Sequence, residues 1–297
     1  MNFSQSAIAV LALALGLSQA EAKPVVYVPV LPYQYLFEQI GGDMIEVHSI
    51  VGEGDDCHDY SPTPRQLSKI AKANLLYSAE LGFEANFFIK VGDGVNAPKA
   101  IDLLEGLTLL EGSCAACEAA RKGNADAADL KHDHDDLKDP HVWLSPKMLR
   151  QQADKVATTL KPFLSADQRS AIDTNLKAFV AELDKLDNEL RSALTPLKGQ
   201  KFYVYHGAFA YFALDYGLEQ IAIEIGNRRP TPKQLSGIAK QAEEDGVKVI
   251  FVQPQFDQSS AKSLAKTIGG KVTTLDPLEK DVVSNLRKIA EAMGKIH

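Results

Sequence analysis

The sequence predicts an α/β protein with two lobes of parallel β-sheet flanked by helices and joined by one long rigid helix. Short apolar runs rich in β-branched residues alternate with helical periods early and late in the chain, which is typical of parallel sheets covered by helices. Between the two halves, a single apolar stripe continues at helical spacing. The length of 297 residues also fits two domains of about 150 residues each.

The first 22 residues are predicted to be a signal peptide that is removed from the folded protein. The eleven apolar residues 7–17 form too short a run for a bilayer span, which takes about 20 residues. They suit the core of a signal peptide, and Ala20-Glu21-Ala22 then gives an A-x-A cleavage pattern. We expect cleavage after Ala22 and a soluble periplasmic protein, without a lipid anchor or a membrane span.

The first lobe is expected over residues 23–164. Its strands are predicted at 25–30, 45–51 and 75–78, and its helices at 33–41, 63–73 and 83–91. Pro64 suits the first turn of the second of these helices. Residues 111–139 show no clear periodicity and are expected to form a surface loop rich in Asp and His.

A linking helix is predicted over residues 165–198, and the second lobe over residues 199–297. Apolar residues recur at steps of three and four from Ile172 onward, and Ser165 and Pro196 suit the two ends of the helix. A helix of about 30 residues is roughly 45 Å long, which is enough to run along both lobes and fix their separation. In the second lobe, strands are predicted at 201–205, 220–225, 247–252 and 272–275, and helices at 209–216, 232–245, 259–268 and 282–293.

Three of the seven histidines lie in loops that can converge. His58 lies between a predicted strand and a helix, His206 directly follows the strand 201–205, and His141 lies in D-P-H-V-W-L-S-P. In open α/β sheets, ligands bind beyond the carboxyl ends of the strands. Each histidine alone is a weak signal. Together they predict a site of three neutral imidazoles, which suits Zn²⁺ and leaves a fourth position open.

Five motifs occur in order along the chain: C-H-D-Y-S-P-T-P, D-P-H-V-W-L-S-P, Y-H-G-A-F-A-Y-F, F-V-Q-P-Q-F and T-L-D-P-L. Together with the long helix, they resemble the metal-binding solute-binding proteins of zinc and manganese ABC transporters (cluster A-I, ZnuA-like and TroA-like). The resemblance covers essentially the whole mature chain. It implies one metal held between two lobes, by His58 and His141 from the first lobe and His206 from the second. It also implies delivery of that metal to an inner-membrane ABC permease.

The fourth ligand position has three candidates. Asp276, in T-L-D-P-L, matches a carboxylate that ligates metal in some members of the family, and it ranks first. Water ranks second. Cys57 ranks third: it stands where some zinc members carry Glu before the first His, and Zn²⁺ accepts a thiolate, but adjacent side chains often point apart. Gln253 is another departure, because many relatives carry Glu there.

The choice of metal follows from the ligand types. Manganese members of the family typically replace the third histidine with Glu, whereas His206 keeps a nitrogen ligand here. Imidazole-rich sites suit Zn²⁺ and oxygen-rich sites suit Mn²⁺. The expected metal is therefore Zn²⁺, with Mn²⁺ or another divalent ion as the alternative.

The loop 111–139 also carries a histidine pair with two possible roles. His132 and His134 partly match the H-x-H-x-D-H motif of metallo-β-lactamase-like hydrolases, but Leu137 stands in place of the last histidine. The pair resembles instead a short form of the His/Asp-rich loop of zinc members, which gathers Zn²⁺ near the cleft. The alternative is an ordinary solvated acidic loop.

A C-x-x-C pair, Cys114 and Cys117, lies in the same loop after the strand-like run 107–110. A thioredoxin-like redox site would need the motif to open a helix after a strand. An oxidising periplasm favours a disulfide. A second metal-capturing pair with His132 or His134 is a further alternative.

Charge and composition limit the remaining function classes. The chain has 32 Lys and Arg against 39 Asp and Glu, a net charge of −7, so it lacks the basic surface that nucleic-acid binding needs. We expect a monomeric high-affinity zinc receptor that catalyses no reaction. The alternative from another class is a zinc-dependent hydrolase with water in the open position.

Overall fold

The structure is a computed structural model, and it describes residues 22–84, 87–88, 98–111, 138–225 and 228–296. Nearly all of the predicted signal peptide lies outside these residues. So do Cys114, Cys117, His132 and His134, together with most of the helix predicted at 83–91. Among the residues described, none of the helices combines the length and the apolar character that a membrane span requires.

The first lobe contains a wholly parallel sheet with the strand order β2-β1-β3-β4. Its strands are β1 (Val25–Val28), β2 (Glu46–Ser49), β3 (Leu75–Ser78) and β4 (Ala100–Asp102). Helix α1 (Leu31–Gly41) follows β1, and helix α2 (Pro64–Ile70) lies between β2 and β3. Helix α2 begins at Thr63, which forms a capping box with Gln66, so the first N–H groups of the helix are satisfied locally.

Two elements of this lobe were missed by the sequence analysis. Strand β4 has only three residues, too few for an alternating pattern to stand out. Helix α3 (Pro146–Leu160) begins at Ser145, whose side chain accepts a hydrogen bond from the N–H of Met148. Its buried face includes Gln152 and small alanines, which weaken the apolar period that predicts a helix.

Helix α4 (Ala166–Leu194) runs for 29 residues and is continued by a 3-10 turn. Its length of about 44 Å follows from 1.5 Å per residue. The helix packs against α1 and α3 of the first lobe and against the last helix of the chain. Its buried face consists of Ile172, Phe179, Leu183, Leu186, Leu190 and Leu194.

The second lobe repeats the topology of the first. Its strands are β5 (Lys201–Val204), β6 (Glu219–Ala222), β7 (Val249–Val252) and β8 (Lys271–Thr274), all parallel in the order β6-β5-β7-β8. Its helices are α5 (Ala210–Tyr216), α6 (Pro232–Glu244), α7 (Ser259–Thr267) and α8 (Val282–Met293). Helix α6 begins at Thr231 with the same T-P-x-Q-L capping box as α2. The predicted fold class, two parallel α/β lobes joined by one long helix, is confirmed.

The two lobes share one hydrophobic core. A single cluster of buried side chains contains Val26 of the first sheet, Leu183 of α4, and Phe202 and Leu286 of the second lobe. A smaller cluster covers the other face of the second sheet. Because the larger cluster is continuous through α4, separating the lobes would expose apolar surface to water at a cost of about 25 cal/mol per Å². The link between the lobes is therefore rigid.

Buried hydrogen bonds also join the lobes. The indole Nε1 of Trp143 donates to the carbonyl of Pro277 at 2.8 Å. The hydroxyl of Tyr211 donates to the carbonyl of Asp139 at 2.8 Å and accepts from the N–H of Leu110 at 2.9 Å. These bonds fix the segment on either side of His141 to the second lobe.

The described residues 107–110 form no strand, contrary to the strand-like interpretation of this run. The N–H of Leu110 is used by the hydroxyl of Tyr211, and the N–H of Leu107 closes a turn on Leu104. Because these two N–H groups have other partners, residues 107–110 do not pair with a neighbouring strand. An antiparallel bridge joins Glu111 and Lys138, the described residues on either side of 112–137.

Candidate metal centre

The three histidines predicted from the sequence meet between the lobes. The Nε2 atom of His58 lies 3.0 Å from Nε2 of His206, which lies 3.3 Å from Nε2 of His141. All three offer ligand nitrogens within 4.8 Å of one another. Around a tetrahedral Zn²⁺ with Zn–N bonds of 2.0–2.1 Å, nitrogen ligands are about 3.3 Å apart. The spacing therefore suits one metal ion bound by three imidazoles.

The His58 ring is kept neutral by its surroundings. Burial, together with repulsion from the neighbouring imidazoles of His206 and His141, lowers the pKa of His58 to about 2. A neutral imidazole has a free lone pair, which is the form that binds metal. The site is therefore ready to accept a cation without first releasing a proton from His58.

Two buried carboxylates orient the other two rings. Asp139 Oδ1 accepts from Nδ1 of His141 at 2.7 Å and from the backbone N–H of the same residue at 2.9 Å. Glu224 Oε1 contacts Nδ1 of His206. With a proton on each Nδ1, the Nε2 lone pairs of both rings face the centre, and the carboxylates raise the basicity of the imidazoles.

The sequence analysis did not single out Asp139 or Glu224 as functional residues. Asp139 lies two residues before His141 within the D-P-H motif, so this spacing could have predicted a carboxylate partner for His141. Glu224 lies 18 residues from His206 in sequence and meets it only because β5 and β6 are neighbours in the sheet.

Four strands of the second lobe each supply one residue to this region from the carboxyl end. His206 follows β5, Glu224 follows β6, Gln253 follows β7 and Asp276 follows β8. Because the strands are parallel, their carboxyl ends lie at one edge of the sheet, where ligands of such folds bind.

Gln253 holds the backbone of His206 with both ends of its amide. Its Oε1 accepts from the N–H of His206 at 3.1 Å, and its Nε2 donates to the carbonyl of His206 at 2.7 Å. Gln253 is fully buried. The ring of Phe256 stacks on the His206 imidazole with centroids 4.9 Å apart and 24° between the planes. His206 is thus fixed through its backbone, its Nδ1 atom and its ring face.

The loop that carries His58 is held differently. Gly82 lies against the backbone of His58 so closely that a Cβ atom there would be 2.9 Å from the His58 carbonyl oxygen. The Glu84 carboxylate accepts from the N–H groups of Ala79 and Leu81 and so shapes the turn that contains Gly82. A side chain at position 82 would therefore displace His58.

A small cavity of about 10 Å³ lies among the imidazoles, close to the room that one water needs. Besides the three histidines it is lined by Asp56, Cys57, Gln255, Phe256, Pro277 and Leu278.

Cys57 and Asp56 form a second small group with His58, with ligand atoms within 4.8 Å of one another. Cys57 is buried and free. Burial, together with the neighbouring Asp56 carboxylate, raises the pKa of the Cys57 thiol to about 12, so the thiol is protonated in the metal-free site. Asp56, which the sequence analysis did not single out, accepts from the N–H of His58 through Oδ1 at 2.8 Å.

Asp276 is not one of the ligand groups that lie within 4.8 Å of one another in the described residues, although the next two residues, Pro277 and Leu278, line the cavity. Its Oδ1 accepts from Nε2 of Gln255 at 2.8 Å and from the N–H of Leu278 at 2.9 Å. Its role as a ligand stays a prediction. The structure thus brings three of the four predicted ligand residues, the histidines, into one cluster.

Comparison with known proteins identifies the family. The chain matches the family model ZnuA, described as zinc-uptake complex component A, periplasmic, over residues 26–294. A crystal structure of ZnuA is 34% identical with a TM-score of 0.81, covering 93% of this chain and 99% of that one. A zinc-bound ZnuA deletion mutant gives the same identity and TM-score, covering 93% of this chain and 98% of that one.

A curated relative has a similar description. The high-affinity zinc uptake system protein ZnuA of Bacillus subtilis (strain 168) is 28% identical over 257 residues, which are 84% of this chain and 76% of that protein. The family model spans nearly all of the predicted mature chain. The chain therefore belongs to the ZnuA family of zinc-uptake components.

Proposed function

We propose that this protein is a periplasmic receptor that binds one Zn²⁺ between its lobes and delivers it to an inner-membrane ABC permease. The observation that carries the proposal is the convergence of three Nε2 atoms, with 3.0 and 3.3 Å between them. The family match supports zinc uptake as the process. Binding and release are sufficient for this role, so we propose no catalysed reaction, and we propose that the receptor acts as a monomer.

The ligand set proposed is His58, His141 and His206, with water in the fourth position. Asp276 lies outside the ligand groups of the described residues that are within 4.8 Å of one another, and its Oδ1 is engaged by two hydrogen bonds. The Cys57 thiol would have to lose its proton, although burial raises the pKa of this thiol to about 12. Water needs neither change. Nitrogen ligands favour Zn²⁺ over Mn²⁺, which prefers oxygen.

We also propose the predicted division of the chain. Residues 1–22 serve as a cleaved signal peptide, residues 23–164 and 199–297 form the lobes, and residues 165–198 link them. The start of β1 at Val25, just past the predicted cleavage site, supports this division. The disulfide between Cys114 and Cys117 and the zinc-gathering role of His132 and His134 stay predictions.

The metal content of the mature protein tests this function. We expect elemental analysis of the protein from its native periplasm to give one zinc per chain. In competition titrations with a chromophoric chelator, Zn²⁺ should bind at least about 100-fold more tightly than Mn²⁺, because three imidazoles and a water offer Mn²⁺ few of the oxygens it prefers. Deletion of the gene should abolish growth in chelated medium, and added zinc should restore it. Manganese as the purified metal, or restoration by manganese alone, contradicts the proposal.

A second expectation concerns Cys57. The Cys57→Ser variant should keep its zinc affinity within about 3-fold of the parent protein, because a buried, protonated thiol outside the ligand set contributes little to binding. The measurement is the same chelator competition, with thermal unfolding of the metal-free protein as the control for folding. A 100-fold or greater loss of zinc affinity, which corresponds to about 2.7 kcal/mol of binding free energy, would show that Cys57 is a ligand.

A further inference from the structure

Two glutamines flank Pro254 in the F-V-Q-P-Q-F motif, and only Gln253 has a role so far. Gln255 lines the small cavity among the three histidines. It is not one of the residues expected to bind metal. Its side chain also bonds to Asp276, the residue ranked first for the fourth ligand position.

The orientation of the Gln255 amide is fixed by Asp276. Nε2 of Gln255 donates to Oδ1 of Asp276 at 2.8 Å. A carboxylate oxygen accepts hydrogen bonds and cannot donate one, so the NH₂ group of the amide must face Asp276. The side-chain carbonyl oxygen, Oε1, is therefore the atom left for other contacts.

The Oε1 atom of Gln255 is buried and has no hydrogen-bond partner among the described residues. A buried acceptor without a donor is unfavourable, because it has lost its hydrogen bonds to water. Because Gln255 lines the metal cavity, this atom is suited to a donor that arrives with the metal. Water on a cation is a strong donor, because the charge of the cation polarises its O–H bonds.

Asp276 is itself held in place. Its Oδ1 also accepts from the N–H of Leu278 at 2.9 Å, and its backbone carbonyl accepts from Nδ2 of Asn285 at 2.7 Å. Asn285 is buried on helix α8. The carboxylate is thus a fixed anchor for Gln255.

We propose that Oε1 of Gln255 accepts a hydrogen bond from the water in the fourth position of the bound metal, and that Asp276 acts as a positioning residue through Gln255. This inference rests on the three-histidine zinc site of the proposed function. It gives the T-L-D-P-L motif a role that needs no direct bond between Asp276 and the metal.

Four variants test the proposal by chelator competition with Zn²⁺. Gln255→Leu should weaken zinc binding by about 10-fold, since loss of a group that orients a metal ligand typically costs 10–100-fold. Asp276→Leu should have a similar effect. The double variant should be no weaker than either single variant, because both changes remove one interaction. Asp276→Asn should stay within about 3-fold of the parent protein, because its Oδ1 can still accept from Gln255 and Leu278.

Gln258→Leu is the matched control. It makes the same chemical change three residues further along the chain, at the start of α7, where the side chain makes no capping hydrogen bond. We expect its zinc affinity to equal that of the parent protein. Thermal unfolding of each metal-free variant then reports whether a loss of affinity reflects a loss of folding.

The visible spectrum of the Co²⁺-loaded protein provides a readout that a purely structural role would not move. We expect Gln255→Leu to alter that spectrum while the metal-free protein unfolds at an unchanged temperature. A loss of more than about 100-fold in Asp276→Asn, together with no effect of Gln255→Leu, would make Asp276 a direct ligand and overturn the proposal. An unchanged affinity in Gln255→Leu overturns it as well.

The outcomes also separate this inference from the proposed function. If the parent protein and all Gln255 and Asp276 variants still bind one zinc per chain but with equal affinity, only the inference fails. If the parent protein binds no zinc, both fail.

Discussion

In the His58→Ala variant we expect zinc affinity to fall by more than about 100-fold, because changes to the residues around a metal ligand already cost 10–100-fold and this change removes a ligand itself. His58 is the only one of the three histidines contributed by the loop after β2. Its Nε2 atom lies 3.0 Å from that of His206, so no other nitrogen of the described cluster replaces it. Chelator competition with Zn²⁺ measures the change.

The three histidine variants should differ in the stability of the metal-free protein, and His58→Ala is the most informative of them. Among the described residues no carboxylate contacts the His58 ring, so its removal leaves no buried charge without a partner. His206→Ala and His141→Ala deprive the buried Glu224 and Asp139 of the imidazole that each contacts, which is costly in a low-dielectric interior. Those two variants should lose stability as well as zinc binding.

His48→Ala is the matched control for this series. His48 lies on β2, its side chain is 42% exposed, and it pairs with Glu46 rather than with the site. Its removal should leave zinc affinity unchanged. A His58→Ala protein that still binds one zinc at the parental affinity would disprove the site assignment.

In the Gln253→Leu variant we expect the free energy of unfolding of the metal-free protein to fall by about 2 kcal/mol, since leaving a buried polar group unsatisfied costs about 1–3 kcal/mol. Leucine has a similar size but pairs with neither the N–H nor the carbonyl of His206. The carbonyl keeps a second donor, the N–H of Ala208, so the N–H of the buried His206 is the group left without a partner. Urea unfolding measures the change, and the denaturant slope should stay the same if only stability is affected.

The free energy of unfolding of Gln253→Glu should lie between those of Gln253→Leu and the parent protein. Its carboxylate still accepts from the N–H of His206, but it donates to the carbonyl of His206 only when protonated. Gln200→Leu is the control, because Oε1 of Gln200 is buried without a partner among the described residues, so leucine there should be neutral or stabilising. Equal stability of Gln253→Leu and the parent protein would show that the His206 backbone does not depend on this amide.

Much of the fold could be predicted from local patterns. The apolar runs of β3 and of α8 predict elements whose bounds agree with the structure, because a buried strand and an amphipathic helix leave a periodic signature in the sequence. Strand β4 and helix α3 were missed because one is very short and the other buries glutamine and alanine. The run 107–110 was wrongly read as strand-like, since its backbone bonds to a tyrosine of the other lobe.

The sequence by itself determined the two-lobe α/β class, the long helix and the three histidines, because residue type and spacing carry that information directly. Only the tertiary structure decided which atoms meet: the three Nε2 atoms, the carboxylates on His141 and His206, and the amides of Gln253 and Gln255. Their partners lie up to 148 residues apart in sequence. Their distances depend on how two sheets, each built from parallel strands, face one another along α4, which no local pattern specifies.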